Sequence, residues 1–141
     1  MKFMLIMRDI DQAAVDAAEN TDFEEIIAAM GAYNESMVNA GVLSDAAGLS
    51  DPSEGSVVDF SDDDPVATDG PYGELRELFN GFWIVEVSSQ EEAVEWAKRA
   101  PLDAGSQMEV RRINGPEDFP QDNEWIQKEQ EWIAEGTSSG Q

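Results

Sequence analysis

The sequence predicts a single-domain α+β fold of order β-α-β-β-α-β, with an extra hairpin arm and an appended C-terminal helix. Three observations carry this. Phe3–Met7 and Phe82–Val87 are short apolar runs without in/out alternation, Glu86 excepted, as in strands covered on both faces. Two further segments repeat apolar residues at helical spacing behind capping-box openings, Thr21 with Glu24 and Ser89 with Glu92. A chain of 141 residues with 41% hydrophobic content suffices for one core and is too short for two ordinary domains.

Lys2 to Arg8 is the first strand. Asp9 to Asn20 is an acidic, Ala-rich connection with room for a short helical turn. The first helix then carries one stripe, Phe23, Ile26, Ile27, Met30, Tyr33, Met37 and Val38, and Gly41 stands where a left-handed C-terminal cap is expected. Val42 to Leu49 reads as a second strand, made irregular by its Asp-Ala-Ala-Gly content. After the turn Asp51–Gly55, Ser56 to Phe60 and Val66 to Thr68 form the arm, joined through the acidic turn Ser61–Pro65. Phe82 to Val87 is the next core strand. The second helix buries Val94, Trp96, Ala97 and Ala100 and stops at Pro101, and Met108 to Ile113 is the last core strand.

This is the ferredoxin-like plan, an antiparallel sheet with both helices on one face. Two helices cover only one face, yet the strands at Phe3–Met7 and Phe82–Val87 are apolar on both. The economical cover for the second face is the same face of another copy, so a homodimer is expected. Beyond Asn114, Gly115–Pro120 reads as a linker. Asp122 to Glu135 reads as an amphipathic helix with Trp125, Ile126, Trp132 and Ile133 on one side and Glu129 interrupting the stripe, packing on the body or the partner. The Gly/Ser tail Gly136–Gln141 is expected to be disordered.

Composition excludes whole classes of function. Thirty-one acidic residues against eight basic ones give a formal charge of -23, which opposes binding to nucleic acid and to anionic membranes. The chain has no Cys and no His, so thiolate chemistry, disulfides and the commonest metal ligand are all missing. No metal and no cofactor is expected. Asp59, Asp62, Asp63 and Asp64 lack the alternating ligands and the Gly of a calcium loop and read as a solvated turn. No Gly-rich phosphate loop links a strand to a helix. The opening apolar run is too short for a secretory signal or a membrane span, so the expected compartment is the cytoplasm. The acidity itself fits a saline cytoplasm or an ordinary acidic protein equally well. Trp83 and Trp96 read as core residues, and Arg111 and Arg112 point to opposite faces of the last strand, one of them toward a pocket.

The densest concentration of chemistry is Asp69-Gly70-Pro71-Tyr72-Gly73-Glu74-Leu75-Arg76-Glu77, followed by Asn80-Gly81, read as a turn leading into the strand. Asp69 is a turn-forming acceptor and Gly70 permits positive φ. With no His available, proton transfer would fall to carboxylates: Asp69 or Glu74 as base, Tyr72 as oxyanion donor, Arg76 facing substrate negative charge. Gly70, Pro71, Arg76 and Glu77 are the candidate ligand-binding residues. The same loop also reads as an ordinary Asp-Gly-Pro turn with Glu74, Arg76 and Glu77 pairing at the surface.

The run Asp69-Gly70-Pro71-Tyr72 with Glu74, Arg76, Glu77 and then Asn80-Gly81-Phe82 resembles the signature of the DGPF family of YCII-related domain proteins, with Tyr72, Arg76 and Asn80 departing from its Phe, Lys and Gly. The resemblance extends to Ala40-Gly41-Val42-Leu43 and Met108-Glu109-Val110-Arg111, dividing the chain into a domain at 1–113, a linker and helix at 114–135, and a tail at 136–141. It implies a dimeric α/β-barrel, two ferredoxin-like subunits packed sheet to sheet. A His-Asp pair proposed as catalytic in some relatives has no counterpart here. The function expected is binding of a small polar metabolite at the Asp69–Glu77 loop, with carboxylate-based proton transfer as its chemistry. The alternative is a non-catalytic accessory module working with an extracytoplasmic-function sigma factor, a system with which many DGPF proteins are associated.

Overall fold

The computed structural model describes residues 1–9, 16, 20, 22–71, 73 and 78–136. Among these residues there are six strands: β1 (Lys2–Asp9), β2 (Leu43–Gly48), β3 (Ser56–Asp59), β4 (Val66–Asp69), β5 (Phe79–Glu86) and β6 (Ser106–Arg112). Three helices accompany them: α1 (Phe23–Asn39), α2 (Gln90–Lys98) and α3 (Glu124–Ala134). Strands β2-β5-β1-β6 form an antiparallel sheet in that order, and β3 and β4 form a separate hairpin. The order is compatible with the ferredoxin-like plan: β5 lies between β1 and β2, and β6 closes the far edge beside β1.

Strand register sorts side chains between the two faces. Phe3 opposes Val85, and Leu5 opposes Trp83 on one side and Val110 on the other. These residues join Tyr33 and Met37 of α1 and Ala93 and Trp96 of α2 in one core. Leu5, Met37, Val85 and Ala93 are sealed from solvent. The larger of these each contribute roughly 1.5–3 kcal/mol through burial. The Tyr33 hydroxyl donates to the Trp96 carbonyl at 2.8 Å, tying α1 to α2. Its ring meets Trp83 edge-on, with centroids 5.3 Å apart. Burial pushes the Tyr33 phenol up to about 12, against a smaller opposing pull from Arg99.

The opposite face carries Met4 beside Ile84 and Ile6 beside Phe82. Ile6 is buried yet stands apart from the core cluster, as alternation requires. Charge borders this patch: Arg8 pairs with Glu109 at 3.0 Å and Arg111 with the same carboxylate at 3.4 Å.

Several boundaries differ from the sequence reading, each for a local reason. The N-cap of α1 is Asp22, whose carboxylate accepts from the Glu24 N–H; Thr21 lies outside the described residues. Ser89 caps α2 as expected, but the Glu92 carboxylate reaches back to the Ser88 N–H and hydroxyl instead of closing a box on Ser89. Asn80 and Gly81 are not a turn. They lie in β5, which starts at Phe79, because Gly81 pairs with Gly48 and the Asn80 carbonyl accepts from Leu49. The α1 stripe is buried only in part: Tyr33 and Met37 are inside, while Phe23, Ile27 and Val38 are exposed. Gly41 adopts φ 73°, and Val42 N–H closes on the Met37 carbonyl, the left-handed cap expected there.

Helix α3 is capped by Asn123 and packs on the short turn Pro116–Asp118. Gln121 links linker and helix, donating to the Phe119 carbonyl while its own side-chain oxygen accepts from Gln130. Trp125, Trp132 and Ile133 of the α3 stripe remain exposed in part or in large measure in the single chain. Most of the connection at 9–20 and of the tail at 136–141 lies outside the described residues, as do the expectations placed there. Among the described residues, no helix is long and apolar enough to cross a membrane.

Candidate functional site

Two ends of the helix–sheet sandwich are built differently. Where Phe3 opposes Val85, large side chains fill the space between the layers. Toward the arm the same strands present Ala46, Ala47 and Gly48 on β2 and Gly81 on β5. A cavity of about 260 Å³ remains there, bounded also by Met7, Met30, Asn34 and Trp83.

Small residues hold this space open. A side chain at Gly81 would sit 3.0 Å from the Ala47 carbonyl oxygen and 3.5 Å from the Met7 Cε, so glycine lets the strands approach. At Gly48 an added Cβ would meet nothing within 4 Å. Register places Gly48 on the face of Trp83 and Leu43, the helix side of the sheet. Among the described residues, one polar side chain stands in the wall. The Asn34 carbonyl oxygen accepts from the Trp83 indole N–H at 2.7 Å.

The sequence-predicted site residues stand as follows. Asp69 ends β4, exposed and in register with Ser56, and does not line this cavity. As a turn-forming acceptor it cannot take a bond from the backbone two residues on, because Pro71 has no N–H. Gly70 does not adopt positive φ; among the described residues of this loop Gly73 does, at φ 81°. What Gly70 provides is close approach. Its N–H donates to the Gly55 carbonyl at 2.8 Å, and a Cβ there would lie 2.5 Å from the Pro52 carbonyl oxygen. Pro71 is exposed and follows Gly70 through a cis peptide. Tyr72, Glu74, Arg76 and Glu77 lie outside the described residues.

The other candidates resolve locally. The Asp59 carboxylate accepts from the N–H and hydroxyl of Ser61, and these bonds hold its pKa below the usual carboxylate range. No group of three acidic side chains among the described residues is placed to hold a metal. Arg112 borders a second cavity, of about 320 Å³, together with Lys2, Glu86 and Ile133, and is held by Asp118 at 2.6 Å. Arg111 is exposed on the other face. Trp83 and Trp96 are core residues.

Sequence reasoning passed over Asn34 and Gly48. The signals were present: Asn34 is a polar residue beside the stripe positions Met30, Tyr33 and Met37, and Ala46-Ala47-Gly48 is a run of minimal side chains.

Residues 1–116 match the YCII-related domain. An uncharacterized protein of Rhizobium meliloti (strain 1021) is 25% identical over 88 residues, spanning 62% of this chain and 71% of that protein. The chain belongs to the YCII-related domain family. Helix α3 lies beyond the matched residues.

Proposed function

We propose that this YCII-related protein binds a small polar metabolite between helix α1 and the arm end of the sheet, as a homodimer with one such site in each subunit. The cavity bounded by Gly48 and Gly81 carries this reading. Both glycines adjoin the arm in the chain: Gly48 precedes its first turn, and Gly81 closely follows the Asp69–Glu77 loop. The DGPF-like loop thus feeds directly into one wall of the cavity. The chemistry open to that loop is proton transfer, with Glu74 or Asp69 as base, Tyr72 as hydroxyl donor and Arg76 as partner for an anionic group. A thermal-shift screen of small metabolites tests the reading. Stabilisation by a compact ligand is expected, and a flat response across the screen would refute it.

The dimer rests on the apolar patch Met4, Ile6, Phe82 and Ile84, opposite the face that α1 and α2 cover. Sedimentation equilibrium at micromolar concentration should return about twice 15.5 kDa, and a monomer would contradict it. Exposed Trp125 and Trp132 on α3 favour a second reading, an accessory module that docks a protein such as a sigma-factor component. In that case no metabolite would stabilise the protein, and substitution of both tryptophans would abolish partner binding.

A further inference from the structure

Helix α3, which lies beyond the residues matched to the family, stands at one end of the sheet face opposite α1 and α2. Alternation places Lys2, Glu86 and Ile113 on that face with Met4, Ile6 and Ile84. Lys2, Glu86 and Ile113 share the walls of the cavity of about 320 Å³ with Glu129 and Ile133 of α3. Ile126, Glu129 and Gln130 are half-buried along the inner side of the helix. Trp125, Lys128 and Trp132, spaced i, i+3 and i+7, form a second stripe about a third of a turn away. Trp125 is 60% exposed and Trp132 43% exposed, and the Lys128 Nζ lies 4.4 Å from the centre of the Trp125 ring.

We propose that α3 clasps a second copy of this chain across the sheet face, an inference that rests on the homodimer reading above. Area and charge both fit that occupant. A standard interface buries about 800 Å² per partner. Met4, Phe82 and Ile84 of the sheet patch are half-buried and Ile6 is buried, so the patch alone falls well short of that area. The two tryptophans of α3 add large exposed apolar surface at the end of the same face. Arg8, at the far end of β1 about 20 Å from Lys2, and Arg111 share the Glu109 carboxylate, two guanidinium groups for one anion. In a chain of net charge -23 this rim carries excess positive charge, while α3 carries Glu124, Glu129 and Glu131 against Lys128. Two sheets stacked face to face, with their strands running in opposite directions, bring each α3 over the other copy's Arg8–Glu109 rim. There its acidic side meets the excess cation, and its tryptophans lie against guanidinium groups.

Sedimentation equilibrium and tryptophan quenching on the full chain test this. The double variant Trp125→Ser with Trp132→Ser should raise the dimer dissociation constant at least about tenfold, as loss of anchor tryptophans does. Phe60→Ser removes an exposed aromatic from the arm and should leave that constant within about twofold. The second readout leaves α3 intact. Trp83 and Trp96 are buried in the core, so acrylamide reaches chiefly Trp125 and Trp132. Quenching should be about twofold or more weaker in the wild-type dimer than in Ile84→Glu, whose charge in the sheet patch separates the copies. Equal quenching in the two proteins, or an unchanged dissociation constant in the double variant, would overturn the clasp and leave the sheet dimer standing. A dimer that persists in Ile84→Glu would place the contact elsewhere and overturn the clasp. A wild-type chain that sediments as a monomer would overturn both the clasp and the homodimer reading.

Discussion

The two ends of the sandwich share strands, helices and register, and differ in side-chain volume. At the end where Phe3 opposes Val85, Met37, Trp96 and Ala93 complete a sealed core. At the arm end, where Met7 opposes Gly81, the opposing strand positions are glycine and alanine, and a cavity remains. Close packing is the rule inside proteins, and an unfilled space forfeits contact energy. Its position beside the arm is where this fold tolerates that loss. The packed end carries stability, and the open end carries the candidate site.

The largest test of this contrast is a truncation at each end. Leu5→Ala should cost about 2–5 kcal/mol in chemical denaturation, because Leu5 is sealed between sheet and helices. Gly48→Ala should change stability by no more than about 1 kcal/mol, since its Cβ meets nothing and alanine is the better strand residue. Equal losses at the two positions would erase the distinction.

A second test uses the buried phenol of Tyr33. The Tyr33 pKa is raised to about 12 from an ordinary value near 10. The neutral form is favoured in the folded state, so its contribution is complete below pH 10 and is lost as pH rises from about 10 to about 12. Denaturation midpoints should fall across that window, and Tyr33→Phe should lessen the fall. An equal slope in both proteins would place the alkaline transition elsewhere.

The smallest expected effect is at the base of the arm. Gly70→Ala drives a methyl group against the Pro52 carbonyl and strains the Gly70 N–H bond to Gly55. Amide exchange should accelerate in β3 and β4 while global stability changes by roughly 1 kcal/mol or less, since the hairpin is a separate sheet. A large global loss would show that the arm belongs to the core.

The sequence was most informative where a pattern extends over many residues. The strand at Phe3–Met7, the Ser89 cap and the Gly41 turn are recovered in the fold, and the strand expected at Phe82–Val87 is present as Phe79–Glu86. Short-range signals misled where tertiary pairing overrode them. Asn80-Gly81 is a strong turn dipeptide, yet pairing with β2 draws it into β5. Helical periodicity gave the direction of Phe23 and Ile27 but not their depth, and both are exposed. Of the expected site, Gly70 is structurally required for a different reason from the one its residue type suggested. Asn34 and Gly48 form no contiguous motif, and only the fold brings them together.

The central claim is that the arm-end cavity is a ligand site that can be closed without unfolding the protein. The decisive measurement compares the melting temperatures of the wild-type protein and Gly48→Val, each with and without the best stabilising ligand from the metabolite screen at about 100 times its Kd. At that excess the ligand contributes about 2.7 kcal/mol, which raises the melting temperature of a domain this size by roughly 8 °C. The account predicts that rise in the wild-type protein and little or none in Gly48→Val, with the two unliganded melting temperatures within a few degrees of each other. An undiminished rise in Gly48→Val would contradict it.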